Sequence, residues 1–212
     1  MKLLLTASVV CLCLVFAFPV SDVHAAENPG GIGVFNFPEV NGKLVKAVRY
    51  TDSTGDNLLL LTETDIVVNP ENKDTQETWS KELFAHRFLL KKSGAAEQIW
   101  RVADYVRDCH LDALYAEFIM DAFRITDLNN NGQAEVWLPY ILQCAGDPSP
   151  MTMKIIMYEG DKKYAVRGET RSRVDENTYA GGDYAMDPAL LGGPAEFSTF
   201  ATQLWERYKT VN

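Results

Sequence analysis

The chain has 212 residues, 47% of them hydrophobic, and a formal net charge of −9. This length suits one domain with its own buried core, with two small domains as the alternative. The acidic balance argues against nucleic acid or anionic lipid as a partner attracted by overall charge, and it favours cations, neutral sugars or basic partners.

The N-terminus has the organisation of a secretory signal peptide. Lys2 precedes an apolar run over residues 3–18, and a short polar stretch then ends in small residues at Ala25. A signal peptidase reads such positions, so residues 1–25 are predicted to be removed. The apolar run is short for a membrane span, and an uncleaved anchor is the alternative. We therefore expect an exported protein, periplasmic or at the cell surface, without a stable membrane span after cleavage.

The four cysteines fall into two groups. Cys11 and Cys13 lie in the apolar run, where lipidation is a further alternative, although neither follows a small residue. Cys109 and Cys144 remain in the mature chain, and an even count of two in an oxidising compartment predicts one disulfide. Two separate buried thiols are the alternative.

The start of the mature chain predicts an irregular lead followed by a hairpin. Residues 26–42 are rich in Gly, Pro and Asn, which is typical of irregular structure. Residues 43–50 and 58–62 are rich in aliphatic residues, and turn residues separate them, so they predict two paired strands. The polar stretch 64–78 predicts a loop with a short edge strand.

Further strand-like runs follow, each bounded by Gly, Asn, Asp or Pro. They cover residues 83–91, 98–104, 114–126, 134–143, 153–158 and 164–170. The short links predict a mainly β fold, a single-domain antiparallel β-meander over residues 43–212 that is either an open sheet or sandwich-like. Residues 99–123 keep a helical alternative, because Asp104, Asp108 and Asp112 have helical spacing.

The C-terminal region predicts a loop over residues 175–193 and then an amphipathic helix over 195–209. Apolar residues recur there at spacings of three and four: Phe197, Phe200, Ala201, Leu204, Trp205 and Tyr208. Such a stripe is typical of a helix that packs on a sheet. Pro194 suits the first turn of this helix.

The most specific chemical signal is the stretch Asp127–Glu135. Oxygen-bearing side chains occupy its positions 1, 3, 5 and 9, a Gly at position 6 allows a sharp turn, and a backbone carbonyl falls at position 7. Calcium takes six to eight oxygen ligands, so this spacing predicts a calcium site. The predicted ligands are Asp127, Asn129, Asn131, Gln133 and Glu135. Only two are charged, so we expect weak binding; the alternative is a metal-free hairpin turn, which Asn and Gly also favour.

Two segments of the chain resemble each other. Residues 49–52 and 124–127 both have the form Arg-x-Thr-Asp, and each leads through a turn with Gly into a hydrophobic strand. The similarity has two explanations, an internal duplication or two hairpins that use the same turn chemistry.

The sequence contains no zinc spacing, nucleophile motif or phosphate-binding loop. Acidic residues are plentiful, and Asp104, Asp112 and Asp147 are the candidates for a glycosidase-type pair. Aromatic residues that suit a core, or alternatively a sugar-binding strip, are Trp79, Trp100, Trp137, Tyr140, Tyr158 and Tyr164.

The Asp127–Glu135 stretch resembles the calcium loops of integrin-type FG-GAP repeats, which also join two strands. A longer pattern, from Trp100 through Cys109, this stretch and Cys144 to Gly168, resembles a family of uncharacterised exported bacterial proteins, some labelled as surface polysaccharide biosynthesis proteins. The resemblance implies no particular activity, but it supports a bond between the two cysteines, which both lie inside the pattern.

Together these observations predict an exported, non-catalytic binding or structural module of the bacterial envelope, stabilised by calcium, with a cell-surface glycan or protein as its partner. The alternative is an envelope enzyme that acts on glycans through carboxylates.

Overall fold

The computed structural model describes residues 26–27, 39–70 and 76–210, and its main elements are two antiparallel sheets of six strands each. The mainly β prediction, with a meander and a C-terminal helix, is confirmed. The predicted signal peptide and most of the predicted lead lie outside the described residues.

The first sheet is built from the N-terminal half of the chain. Its strands are β1 (Ala26–Glu27), β2 (Lys43–Asp52), β3 (Gly55–Glu63), β4 (Val67–Asn69), β5 (Thr78–Leu90) and β6 (Ala96–Cys109). Strands β2, β3, β5 and β6 pair in succession, β4 pairs with the start of β5, and β1 pairs with β2. The predicted hairpin is therefore present, with longer strands than the sequence pattern indicated. The helical alternative for residues 99–123 is wrong, because β6 fills the first part of that range.

The second sheet is built from the C-terminal half. Its first strands are β7 (Ala113–Phe118), β8 (Arg124–Thr126), β9 (Glu135–Ala145), β10 (Thr152–Glu159) and β11 (Lys162–Glu169). A small separate ribbon follows, β12 (Arg171–Arg173) with β13 (Tyr179–Gly181), and then β14 (Tyr184–Met186) pairs with β11.

Two predictions for this half are corrected. The predicted strand 114–126 is two strands, because a 3₁₀ turn at Met120–Ala122 interrupts it while the N–H of Ile119 bonds to the Pro139 carbonyl. The predicted loop 175–193 contains β13, β14 and a short helix, α1 (Pro188–Leu191).

The core lies between the two sheets, which pack face to face. One continuous buried cluster includes Val48, Leu59 and Leu83 of the first sheet with Leu138 and Ile156 of the second. Five of the six aromatic residues considered for a sugar-binding strip are buried: Trp100, Trp137, Tyr140, Tyr158 and Tyr164. These rings therefore belong to the core.

The outer face of the second sheet is covered by helix α2 (Ala195–Tyr208). The ring of Phe197 is fully buried and contacts Trp137 and Tyr164 edge-on, with ring centroids 6.4 and 5.4 Å apart. Pro194 is the N-cap, one residue before the predicted position in the first turn. None of the helices in the described part of the chain is long and apolar enough to cross a membrane.

The predicted disulfide is present. Cys109 at the end of β6 and Cys144 near the end of β9 are bonded, with their Cα atoms 5.6 Å apart. Because β6 and β9 belong to different sheets, this bond joins the two sheets at one end of the sandwich.

Candidate functional site

Three turns meet at the opposite end of the sandwich from the disulfide. They are the β2–β3 turn, the loop that joins β8 to β9, and the β10–β11 turn, and we call this region the turn junction. The Ser53 N–H donates to the Gly132 carbonyl at 2.7 Å, and the Ala134 N–H donates to Asp52 Oδ2 at 3.1 Å. The two similar Arg-x-Thr-Asp segments therefore end in turns that contact each other directly.

Arg87 of β5 lies at the centre of the turn junction. Its guanidinium donates to Asn57 Oδ1 at 3.1 Å, to Thr54 Oγ1 at 2.6 Å and to the Gly160 carbonyl at 2.7 Å. It also lies 3.9 Å from the Asp52 carboxylate, with the side chains only 3% and 2% exposed. A buried charge is costly without a partner, so this arrangement compensates Asp52 within the protein.

The Asp127–Glu135 stretch is a compact loop closed by its own side chains. Asp127 accepts the N–H of Asn131 and of Gly132, each at 3.0 Å. Asn129 Oδ1 accepts the Asn131 N–H at 3.2 Å, and Asn131 Oδ1 accepts the Gln133 N–H at 2.8 Å. These are the local side-chain-to-backbone bonds that make Asn and Asp favourable in turns.

Glu135 is fully buried behind the loop. Its carboxylate accepts the Thr126 hydroxyl at 2.7 Å and the Leu128 N–H at 2.9 Å. Burial raises the pKa of Glu135, the two hydrogen bonds oppose that rise, and the charges of Asp127 and Glu159 add to it. The carboxylates of Asp127 and Glu159 are thus near enough to repel that of Glu135.

Glu159, the last residue of β10, contacts the Asp127–Glu135 loop, and the sequence did not reveal this contact. Its Oε1 accepts an amide N–H from Asn129 and another from Asn131, both at 2.7 Å. The register of β9 and β10 places Glu159 directly opposite Glu135. The stretch after Tyr158 had indicated only a turn, and no pattern in the sequence links it to a loop some 30 residues earlier.

The five predicted ligands are not all directed at one point. The side chains of Asp127, Asn129 and Asn131 lie on the loop beside Glu159, whereas the Glu135 carboxylate bonds to Thr126 and Leu128. Among residues 39–70 and 76–210, no group of three or more His, Cys, Asp and Glu side chains is placed to hold a metal ion. A cation at this loop would therefore depend on amide and carbonyl oxygens as well as carboxylates.

The carboxylates of the enzyme alternative have other contacts. Asp104 accepts the Tyr140 hydroxyl at 2.7 Å and the Lys154 ammonium at 2.6 Å. Asp147 caps the Ser149 N–H at 3.1 Å, and Asp112 lies in the exposed bend between β6 and β7. Burial, together with Asp104, raises the pKa of Tyr140, which keeps that hydroxyl protonated. Two of these three aspartates therefore have structural partners.

Comparisons with protein families, with curated proteins and with solved structures found no match to this chain.

Proposed function

We propose that this protein is an exported, non-catalytic structural or binding module of the bacterial envelope, and that Ca²⁺ bound at the Asp127–Glu135 loop stabilises its turn junction. The observation that carries the calcium proposal is the position of Glu159. Its Oε1 accepts the side-chain N–H groups of Asn129 and Asn131 at 2.7 Å, which places a carboxylate beside the loop in addition to Asp127 and the buried Glu135.

The Asp52 turn gives an internal comparison for this charge distribution. There the Arg87 guanidinium compensates the buried carboxylate. Within the described ranges, no Lys, Arg or His nitrogen lies within 4.0 Å of the carboxylates of Asp127, Glu135 or Glu159, and the charge of Lys162 acts on Glu159 only from a greater distance. A divalent cation would relieve this repulsion, as Arg87 does in the neighbouring turn.

The oxygens of the loop retain capacity for a cation although they accept hydrogen bonds. A carboxylate or amide oxygen has two lone pairs, and each oxygen of Asp127, Asn129 and Asn131 accepts one backbone N–H. One lone pair on each oxygen is therefore free of a backbone partner. With few formal charges, we expect a dissociation constant of about 10⁻⁴–10⁻³ M, as in extracellular calcium modules.

Thermal melting of the mature chain with calcium and with a chelator tests the proposal. At a calcium concentration tenfold above the dissociation constant, linkage gives about 1.4 kcal/mol of stabilisation. For a chain of this size that corresponds to a rise in melting temperature of about 3–6 °C. Magnesium at equal concentration should give a smaller rise, because it demands near-octahedral geometry.

Two variants make the test specific to the loop. Asp127→Asn and Glu159→Gln should each abolish most of the calcium effect, whereas Asp147→Asn, which removes a carboxylate in a different turn, should leave it unchanged. Identical melting curves in millimolar calcium and in chelator would remove the metal from the proposal. Export is tested separately, by N-terminal sequencing of the protein recovered from the cell envelope, where we expect the chain to begin at Ala26.

A further inference from the structure

The pair Asn131–Gly132 carries a chemical possibility that is independent of metal binding. In an Asn-Gly pair the following backbone nitrogen can attack the Asn side-chain amide, because Gly has no side chain to block the approach. The sequence has one other such pair, Asn41–Gly42. Both pairs are exposed, and both glycines have positive φ, +80° at Gly132 and +84° at Gly42.

Two contacts around Asn131 favour that reaction. The N–H of Gly132, which would be the nucleophile, donates to Asp127 Oδ2 at 3.0 Å. The oxygen of the attacked amide, Asn131 Oδ1, accepts the Gln133 N–H at 2.8 Å, so charge that develops on this oxygen is stabilised. The departing nitrogen, Nδ2, donates to Glu159 Oε1 at 2.7 Å, a contact that holds the side-chain amide but cannot deliver the proton that the leaving nitrogen needs, so that proton comes from solvent. Within the described residues, no carboxylate accepts the N–H of Gly42.

We propose that the loop promotes deamidation of its own Asn131. The Asp127 carboxylate takes the proton from the Gly132 nitrogen, and that nitrogen forms a bond to Cγ of Asn131. The Cγ–Nδ2 bond then breaks, and the side-chain nitrogen leaves as ammonia with a proton relayed through solvent at this exposed loop. Water opens the resulting cyclic imide, so that residue 131 becomes aspartate or its β-linked isomer. No oxidant or cofactor takes part.

The consequence for the loop is one additional negative charge beside Asp127 and Glu159. Resting on the calcium function proposed above, the aspartate product would supply a charged ligand at the fifth position of the loop and bind calcium more tightly. Calcium bound to Asp127 would occupy the base, so the unmodified loop would convert more slowly when the ion is present. Chains that form the aspartate product would thus hold a stronger calcium site than unmodified chains, whereas the β-linked isomer adds a backbone atom to the loop and would alter its spacing.

The test compares the two Asn-Gly pairs within the same molecule. The mature protein is incubated at neutral pH in chelator, and peptide mass mapping follows the conversion of Asn131 and Asn41 over time. In urea both pairs lack their folded contacts, and their rates should be similar. General acid–base catalysis typically accelerates a reaction by about 10²–10⁴-fold. In the folded protein we therefore expect Asn131 to convert at least about tenfold faster than Asn41.

Variants then connect the rate to the named groups. Asp127→Asn should reduce the folded-state ratio of the two rates to about that seen in urea, and Asp147→Asn should leave the ratio unchanged. An Asn131 that converts no faster than Asn41, or a ratio that survives Asp127→Asn, would overturn the proposal. Calcium titration of the Asn131→Asp variant, followed by thermal melting, tests the metal function separately from the deamidation rate. If calcium raises the melting temperature of neither this variant nor the wild type, the metal function fails while the deamidation result stands.

Discussion

Replacing Arg87 by Met tests whether the turn junction depends on a buried charge pair. The side chains of Arg87 and Asp52 are 3% and 2% exposed, and their closest charged atoms are 3.9 Å apart. Met fills much of the same space but leaves the Asp52 carboxylate buried without its partner. Removing one member of a buried pair costs about 3–5 kcal/mol. For a chain of this size we expect the melting temperature to fall by about 6–20 °C.

A double-mutant cycle separates the charge pair from simple packing. Asp52→Asn removes the carboxylate that Arg87→Met leaves unpaired. The loss of stability in the double variant should therefore be smaller than the sum of the two single-variant losses, by at least about 1 kcal/mol. Urea unfolding followed by tryptophan fluorescence measures all four proteins. Arg107→Met is the matched control, because that arginine pairs with Glu82 while 53% exposed and should cost only about 0–1 kcal/mol. An Arg87→Met loss as small as the control, or strictly additive single losses, would refute the reasoning.

Three further changes test other parts of the fold. Replacing Cys109 and Cys144 by Ser removes a bond across a sequence separation of 35, and the chain-entropy treatment gives a loss of about 4 kcal/mol, measured as a lower urea midpoint. Burial raises the pKa of Glu63. The stability contributed by its protonated carboxyl group is therefore fully present below the ordinary pKa of 4.5 and is lost as the pH rises through the raised pKa. The stability of the wild type relative to Glu63→Gln should therefore decrease with rising pH, as urea midpoints on both sides of that window will report. Gly168→Ala places a Cβ 2.0 Å from a backbone oxygen next to β14 and should cost about 3 kcal/mol in thermal melting.

Each of these three predictions has a control and an outcome that would contradict it. Reduction of the wild type should reproduce the midpoint of the double Ser variant, and a large difference between them would show that the loss comes from the new side chains. Parallel pH dependences of the wild type and Glu63→Gln would exclude Glu63 as the titrating group. Gly146→Ala is the control for Gly168, since a Cβ there would meet only a leucine side chain at 3.7 Å, and equal losses at the two sites would contradict the steric argument.

Structure that depends on neighbouring residues could be predicted from the sequence, whereas most contacts between residues distant in the chain could not. The β2–β3 hairpin and helix α2 were predictable because their apolar spacing and turn residues lie within one short segment. Strand β14 was not, because three residues give no usable alternation and the tight approach to Gly168 is set by a partner strand well separated in the chain. The break at Ile119 was hidden because the residues around the 3₁₀ turn are as apolar as those of the adjoining strand.

In the candidate site, too, the local contacts were predictable from the sequence and the long-range contacts were not. The spacing within Asp127–Glu135 was visible, and the loop forms as a local unit. Arg87 was missed because its partners come from residues 30, 33 and 73 positions away, and an arginine in a strand ordinarily indicates a solvent-facing position. Glu159 was missed for the same reason, since only the pairing of β9 with β10 brings it to the loop.

The sandwich is fastened at both ends, and this bears on how its sheets can move. Strand β9 runs from Glu135 at the turn junction to Cys144 at the disulfide, a rise of about 30 Å for nine residues. A single fastening would act as a pivot about which one sheet could rotate over the other. Two fastenings at opposite ends oppose that rotation, and they also oppose sliding of one sheet over the other, so a force applied to either sheet is passed to the other at both ends.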